Sequence, residues 1–168
     1  MPDVIVNTSP LQYLFQLSLL ELLPSLYGQV IVPEAVVLEL DRGRELGCSL
    51  PDVEKLAWVT IKQPQHPVLL PLAGGLGAGE SAVLALAREI PGAVAVLDDK
   101  RARRYARLLG VRLTGTLGIL LKAKHAGKLT ALRPVMEHLE KLGFRFHRDT
   151  RNAVLKLAEE SVEKPYAK

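Results

Sequence analysis

The chain has 168 residues, of which 48% are hydrophobic and 5% aromatic, and its formal net charge is +4. This length accommodates one domain with an aliphatic core, and the hydrophobic content excludes a disordered chain. The mild basic excess is compatible with a polyanionic partner but does not require one. Cys48 is the only cysteine, so no intramolecular disulfide can form and a reducing compartment is expected.

The sequence offers no export signal and no membrane span. Its first residues lack a basic n-region, and the leucine-rich stretch at 11–26 is interrupted by Gln12, Gln16, Glu21 and Pro24. These interruptions are incompatible with a helix that crosses a bilayer. We therefore expect a cytoplasmic protein without membrane contact.

Short apolar runs alternate with helical patterns along the first part of the chain. Residues 4–6 and 30–32 predict buried strands, and residues 59–61 predict a strand at the edge of a sheet. Ser9 and Pro10 predict a helix start, with Ser9 as the cap and Pro10 in the first helical position. Leucine-rich helices are expected before the second strand, and another helix after it.

The second part continues the alternation. Residues 79–90 predict a helix, residues 94–97 a strand buried on both faces and residues 111–113 a last parallel strand. C-terminal helices are expected at about 134–142 and 150–162. The pattern indicates one three-layer α/β domain whose central parallel sheet has four to five strands with helices on both faces.

Most of the candidate functional side chains lie in the stretch at 94–107. Its apolar strand ends in Asp98 and Asp99, which a basic segment follows. Acids at the carboxyl end of a parallel strand lie where open α/β sheets place ligands, and carboxylates hold hard cations. The following residues could hold phosphates or could form a solvated face: Lys100, Arg101, Arg103, Arg104 and Arg107.

Three further polar residues lie near a strand end or a helix start: Asn7, Glu39 and Glu80. Asn7 follows the first strand as Asp98 follows the strand at 94–97, so the two side chains are expected at one edge of the sheet. Each residue also has a purely structural interpretation. Glu80 could complement its helix dipole, Asp99 could cap the next helix and Glu39 could be solvated.

Four segments together closely resemble the PIN-domain superfamily: VIVNTSPLQYL, VIVPEAVVLEL, GLGAGESAVLALA and VLDDKRARRYARLLGVRLTGTLGILLKAKHAGKL. The resemblance runs in order over residues 4–142 and is most specific over 77–129. More narrowly, the sequence resembles the uncharacterised prokaryotic branch (DUF3368-like) near the VapC-type toxins. It implies a PIN-like domain over residues 1–142, with 143–168 as a C-terminal helical extension packing on the domain or on a second subunit.

The resemblance also implies a Mg²⁺- or Mn²⁺-dependent ribonuclease that hydrolyses RNA phosphodiesters. Matched by position, the metal ligands would be Asn7, Glu80 and Asp98. The catalytic set would be Asn7, Glu39, Glu80, Asp98, Asp99 and Thr116. The basic residues after Asp99 would grip the RNA backbone. A homodimer is the default assembly that the resemblance implies, and a cognate antitoxin protein is left open as a partner.

Asn7 departs from the family pattern, which has an aspartate at the end of the first strand. An amide oxygen can bind a cation but brings no charge, so metal affinity should fall. Three interpretations stay open: a nuclease with weakened metal binding, a catalytically inactive module that binds nucleic acid or protein, or a substituted position 7.

Two phosphate-binding motifs are alternative interpretations of residues 74–82. Gly77, Gly79 and Ala82 have the spacing of a dinucleotide fingerprint, but a proline- and glycine-rich loop precedes them instead of a strand. Residues 74–81 fit a P-loop spacing except that Glu80 replaces the essential lysine. Both alternatives would set a carboxylate against a phosphate, and the P-loop is rejected on that ground.

Overall fold

The computed structural model describes residues 1–66 and 75–160. Within these ranges, five strands form one sheet in which every pair is parallel and the order is β3-β2-β1-β4-β5. The strands are β1 (Val4–Val6), β2 (Val30–Pro33), β3 (Val59–Lys62), β4 (Val94–Val96) and β5 (Arg112–Thr114).

Eight α-helices accompany the sheet in the described ranges, with a single 3₁₀ turn at Val53–Lys55. They are α1 (Thr8–Gln16), α2 (Leu22–Leu26), α3 (Glu34–Glu45), α4 (Ala78–Glu89), α5 (Lys100–Leu108), α6 (Thr116–His125), α7 (Arg133–Lys141) and α8 (Arg148–Leu157). The predicted α/β class and the parallel sheet of four to five strands are confirmed.

The central strands are covered on both faces. Every residue of β1, β2 and β4 is buried, although successive side chains of a strand point to opposite faces. Strands that are buried on both faces appear in the sequence as continuous apolar runs, which is why they could be predicted. β3 lies at the edge of the sheet and is half exposed, as predicted.

The register brings the ends of the strands to one edge. Val6 pairs with Val96 in the β1–β4 ladder, and the Asn7 N–H donates to the Val96 carbonyl at 3.2 Å. On the other side of β4, the Leu97 N–H donates to the Thr114 carbonyl at 3.0 Å. The residues that follow β1, β4 and β5 therefore share the carboxyl edge of the sheet.

Two helix boundaries correct the sequence-based expectation. Asn7 takes the N-cap position of α1 in an extended conformation, so the helix begins at Thr8 and Pro10 is its third residue. Proline is tolerated there because the first helical N–H groups have no intrahelical partner. α8 ends at Leu157, since Glu159 has a φ of 59° that a right-handed helix excludes. The prediction of helix at 158–160 was therefore wrong, and residues 161–162 lie outside the described ranges.

The chain divides into two compact units, Met1–Thr116 and Leu117–Lys168. In the second unit, Glu160 accepts the N–H groups of Leu132 and Arg133, the latter at 2.9 Å, and Lys124 lies 3.4 Å from it. Among the described residues, no helix is long and apolar enough to cross a bilayer. The predicted loop at 63–77 is described only in part, since residues 67–74 lie outside those ranges.

Candidate active site

Asn7 is the most unusual polar residue of the sheet edge. It is 5% exposed, and its Oδ1 has no hydrogen-bond partner among the described residues. A buried acceptor without a donor destabilises the fold, because it has lost its hydrogen bond to water and has formed none within the protein. Such an atom indicates a ligand or a water molecule at that position.

Asp98 follows β4 and is held by Thr116 at the start of α6. Its Oδ1 accepts the Thr116 N–H at 2.8 Å, and its Oδ2 accepts the Thr116 hydroxyl at 2.6 Å. Burial raises the pKa of Asp98 above its ordinary value, and the two Thr116 bonds and the nearby Arg103 charge oppose the rise without cancelling it. The structure thus brings together two of the predicted site residues, a contact that the sequence did not predict.

Arg103 turns inward from α5. Its Nη1 donates to the Leu97 carbonyl at 2.9 Å. A Cβ placed on Gly115 would lie 2.9 Å from that Nη1 and 2.8 Å from Asp98 Oδ1, so a larger residue there would force these side chains to shift. Burial lowers the pKa of Arg103, as does the charge of Arg107, while Asp98 opposes them. Arg103 therefore braces the end of β4, in addition to any contact with a nucleic acid.

Glu39 projects from α3 toward the starts of two other helices. Its Oε1 accepts the Gly79 N–H of α4 at 2.9 Å, and its Oε2 accepts the hydroxyl of Thr8 in α1. Both carboxylate oxygens are therefore hydrogen-bonded within the protein, which differs from the solvated residue considered for Glu39. Neither contact was predicted from the sequence, because both join residues more than 30 positions apart.

Glu80 lies in the first turn of α4, where its Oε2 accepts the Gly77 N–H at 3.0 Å. Burial is the largest cause that raises its pKa, and the charges of Asp99 and Glu39 raise it further. The Gly77 N–H and the charge of Arg101 act in the opposite direction. The acids of α3, α4 and the β4–α5 turn therefore act on one another electrostatically.

Asp99 caps α5, since its carboxylate accepts the Ala102 N–H at 2.9 Å. The capping role was one of its two predicted roles. Four of the predicted RNA-binding residues are exposed on or beside this helix: Lys100, Arg101, Arg104 and Arg107. The four histidines are exposed as well: His66, His125, His138 and His147.

Tyr13 is a neighbour of the site that sequence reasoning missed. Burial raises its pKa, and the negative charge of Asp98 raises it further, which brings the phenol of α1 within electrostatic reach of that acid. No pattern in the sequence marks Tyr13 as a site residue.

The residues at this edge fit a hard divalent cation in their donor chemistry, though not as a closed cage. Within the described ranges, no three His, Cys, Asp or Glu side chains form a group that could hold a metal ion. Asn7 supplies a free buried oxygen and Asp98 a carboxylate. Mg²⁺ is bound through few protein oxygens and several waters, so such an open site suffices.

The described domain thus has a parallel sheet with amide and carboxylate oxygens at its carboxyl edge. The family model DUF3368, described as a PIN domain, matches residues 3–160. The chain therefore belongs to the PIN-domain family, and the resemblance seen in the sequence is confirmed. Domains of this family generally use divalent metal ions and bind nucleic acids. A search of curated proteins found no match.

Proposed function

We propose that the protein is a Mg²⁺- or Mn²⁺-dependent endoribonuclease of the VapC-like type, weakened at one ligand. The observation that carries the proposal is the orphaned, buried Oδ1 of Asn7 at the sheet edge that Asp98 shares. A bound cation would give the Asn7 Oδ1 atom the partner that it lacks among the described residues. The proposed ligands are Asn7, Glu80 and Asp98.

The chain's own residues would orient the reaction. Thr116 holds Asp98 through two hydrogen bonds, which fixes the direction of the carboxylate. Asp99 lies next to it as an auxiliary acid and Glu39 completes the acidic edge. A bound cation would neutralise the phosphate and lower the pKa of a water molecule. The exposed cations of α5 would hold the RNA backbone, with an affinity that falls as salt rises.

A catalytically inactive PIN-like module that binds nucleic acid or protein is the second candidate. Two observations favour it: position 7 carries an amide without charge, and both oxygens of Glu39 accept hydrogen bonds from within the protein. In this reading the basic surface of α5 acts alone, and no cation takes part.

The deciding experiment is a calorimetric Mn²⁺ titration of the parent, Asn7→Asp and Asp98→Ala, with cleavage of a labelled single-stranded RNA measured on the same samples. Asn7→Asp adds a charge at the free acceptor, so we expect about tenfold tighter Mn²⁺ binding and faster cleavage. Asp98→Ala should abolish both.

Absence of Mn²⁺ binding and of cleavage in all three proteins would exclude the nuclease. If the parent still bound RNA in a salt-dependent manner, the inactive module would be the correct assignment. Asn7→Leu serves as a matched control, because it fills a similar volume without any oxygen. It should bind Mn²⁺ more weakly than the parent if Oδ1 is a ligand.

The assembly and the compartment are part of the proposal. A homodimer would be detected by sedimentation of the purified protein, and a cognate antitoxin by co-purification from its natural host. The proposed location is the cytoplasm, consistent with the single exposed Cys48.

A further inference from the structure

Glu39 lies where three helices meet. It belongs to the middle of α3, yet its two carboxylate oxygens accept hydrogen bonds from Thr8, the first residue of α1, and from Gly79, the second residue of α4. Thr8 directly follows Asn7, and Glu80 directly follows Gly79. One carboxylate thus joins the neighbours of two proposed cation ligands.

The contact with Gly79 is close enough that a larger residue there would force the Glu39 carboxylate to move. A Cβ on Gly79 would lie 2.8 and 2.9 Å from the two Glu39 oxygens and 3.0 Å from the carboxyl carbon. Glycine is a poor helix former, so its presence inside α4 has a steric reason here. At Gly77, by contrast, an added Cβ would make only ordinary contacts, the nearest at 3.8 Å.

The first turn of α4 needs an acceptor from elsewhere. Its N-cap residue is Gly77, which has no side chain to accept the N–H groups that a helix start leaves unpaired. Glu80 reaches back to the Gly77 N–H at 3.0 Å, and Glu39 takes the Gly79 N–H at 2.9 Å. The anionic carboxylate also lies at the positive end of the helix dipole.

We propose that Glu39 is a positioning residue that caps α4 in trans and, through Thr8, fixes Glu80 relative to Asn7. This inference rests on the proposed function, because Asn7 and Glu80 are ligands only if a cation binds. In this role Glu39 accepts hydrogen bonds, and the proposed ligands Asn7, Glu80 and Asp98 contact the ion directly.

A double-mutant cycle between Glu39 and Gly79 tests the contact without any metal. Gly79→Ala should destabilise the parent, raising the unfolding constant about tenfold, because the new methyl displaces the carboxylate. In the Glu39→Ala background the same change should stabilise, because the obstacle is gone and alanine is the better helix former. An equal effect of Gly79→Ala in both backgrounds would overturn the proposal.

Hydrogen exchange tests the cap itself. Glu39→Ala should accelerate exchange of the Gly79 amide by about tenfold, whereas Glu39→Gln, which keeps an acceptor, should restore most of the protection. Val37→Ala, a core change in the same helix α3, controls for general destabilisation and should not single out the first turn of α4. Equal exchange at Gly79 in the parent and Glu39→Ala would exclude the cap.

Mn²⁺ calorimetry then separates positioning from ligation. Glu39→Gln should recover the affinity that Glu39→Ala loses, whereas Asp98→Asn should not recover the affinity that Asp98→Ala loses. If Glu39→Gln loses Mn²⁺ as completely as Asp98→Asn, the Glu39 charge acts on the ion and the positioning role is wrong. If the parent binds no Mn²⁺, the nuclease proposal fails, while the sign reversal and the exchange rates still decide the cap.

Discussion

At the scale of single residues, the sheet edge holds two groups that the fold stabilises poorly. The Asn7 acceptor is buried without a donor, and the Asp98 carboxyl is partly buried with a raised pKa. Groups of this kind are concentrated at functional sites, which is consistent with the proposed function. Both follow a buried strand directly, so the strands hold them in place.

The raised pKa of Asp98 predicts a pH dependence of stability. The unfolded chain titrates Asp98 near its ordinary pKa of 3.8, whereas the folded protein titrates it at higher pH. Between the two, the native state binds more protons, so the free energy of unfolding falls as pH rises through that window. Asp98→Asn should remove this slope and, without metal, stabilise the protein at pH 7 by about 1 kcal/mol.

Urea denaturation from pH 3.5 to 8 in the presence of a chelator measures this effect. Glu89→Gln is the matched control with the opposite sign, because hydrogen bonds from the His66 and Gln65 N–H groups lower the pKa of Glu89. That variant should be less stable than the parent at neutral pH, with the difference lost as pH falls. An Asp98→Asn variant less stable than the parent at pH 7 would contradict the assignment.

At the scale of elements, α5 has two kinds of arginine. Arg103 is partly buried and donates to the Leu97 carbonyl, whereas Arg104 is exposed. Helical spacing puts both arginines on one face with Lys100 and Arg107. That spacing alone does not show which side chain bends back toward a strand end. Their functions should therefore separate, although they are adjacent.

Substitution of each arginine by glutamine should give different results. Arg104→Gln should leave the stability within about 0.5 kcal/mol and reduce the salt slope of RNA binding by about 0.7. Arg103→Gln should destabilise the protein by about 1–3 kcal/mol, because the Leu97 carbonyl loses a charged donor. Filter binding at several salt concentrations and urea denaturation provide the two readouts, and identical behaviour of the two variants would refute the distinction.

At the scale of the whole molecule, the predicted boundary at residue 142 remains a prediction, and contacts within the second unit make it testable. Arg151 of α8 lies 3.7 Å from Glu137 and 3.4 Å from Glu140 of α7, and Glu160 accepts two N–H groups at the start of α7. The segment proposed as an extension therefore supplies partners to the helix before it.

A chain truncated after residue 142 should consequently lose protection of the α7 amides when compared with a chain that ends at residue 160. Glu160→Ala in the longer chain should cost about 1 kcal/mol, the usual value of a helix cap. Hydrogen exchange of both chains provides the comparison. An α7 equally protected in both would show that residues 143–160 are an independent appendage.

The sequence predicted the sheet well because strands buried on both faces leave uninterrupted apolar runs, as at Val4–Val6 and Val94–Val96. It also predicted that Asn7 and Asp98 share an edge, which parallel topology requires. It did not predict the partners of Glu39 or the inward turn of Arg103. Those contacts depend on how helices distant in sequence pack together, and no local pattern encodes that packing.

The order of the strands has a consequence for the synthesis of the protein. Val4 of β1 pairs with Val94 of β4, 90 residues later, and at about 5–20 residues per second a ribosome needs roughly 5 to 20 s to cover that distance. Until then β1 lacks one of its two neighbours, and Asn7 has no Asp98 to share an edge with. A nascent chain therefore carries no assembled site until β4 and Asp98 have been synthesised.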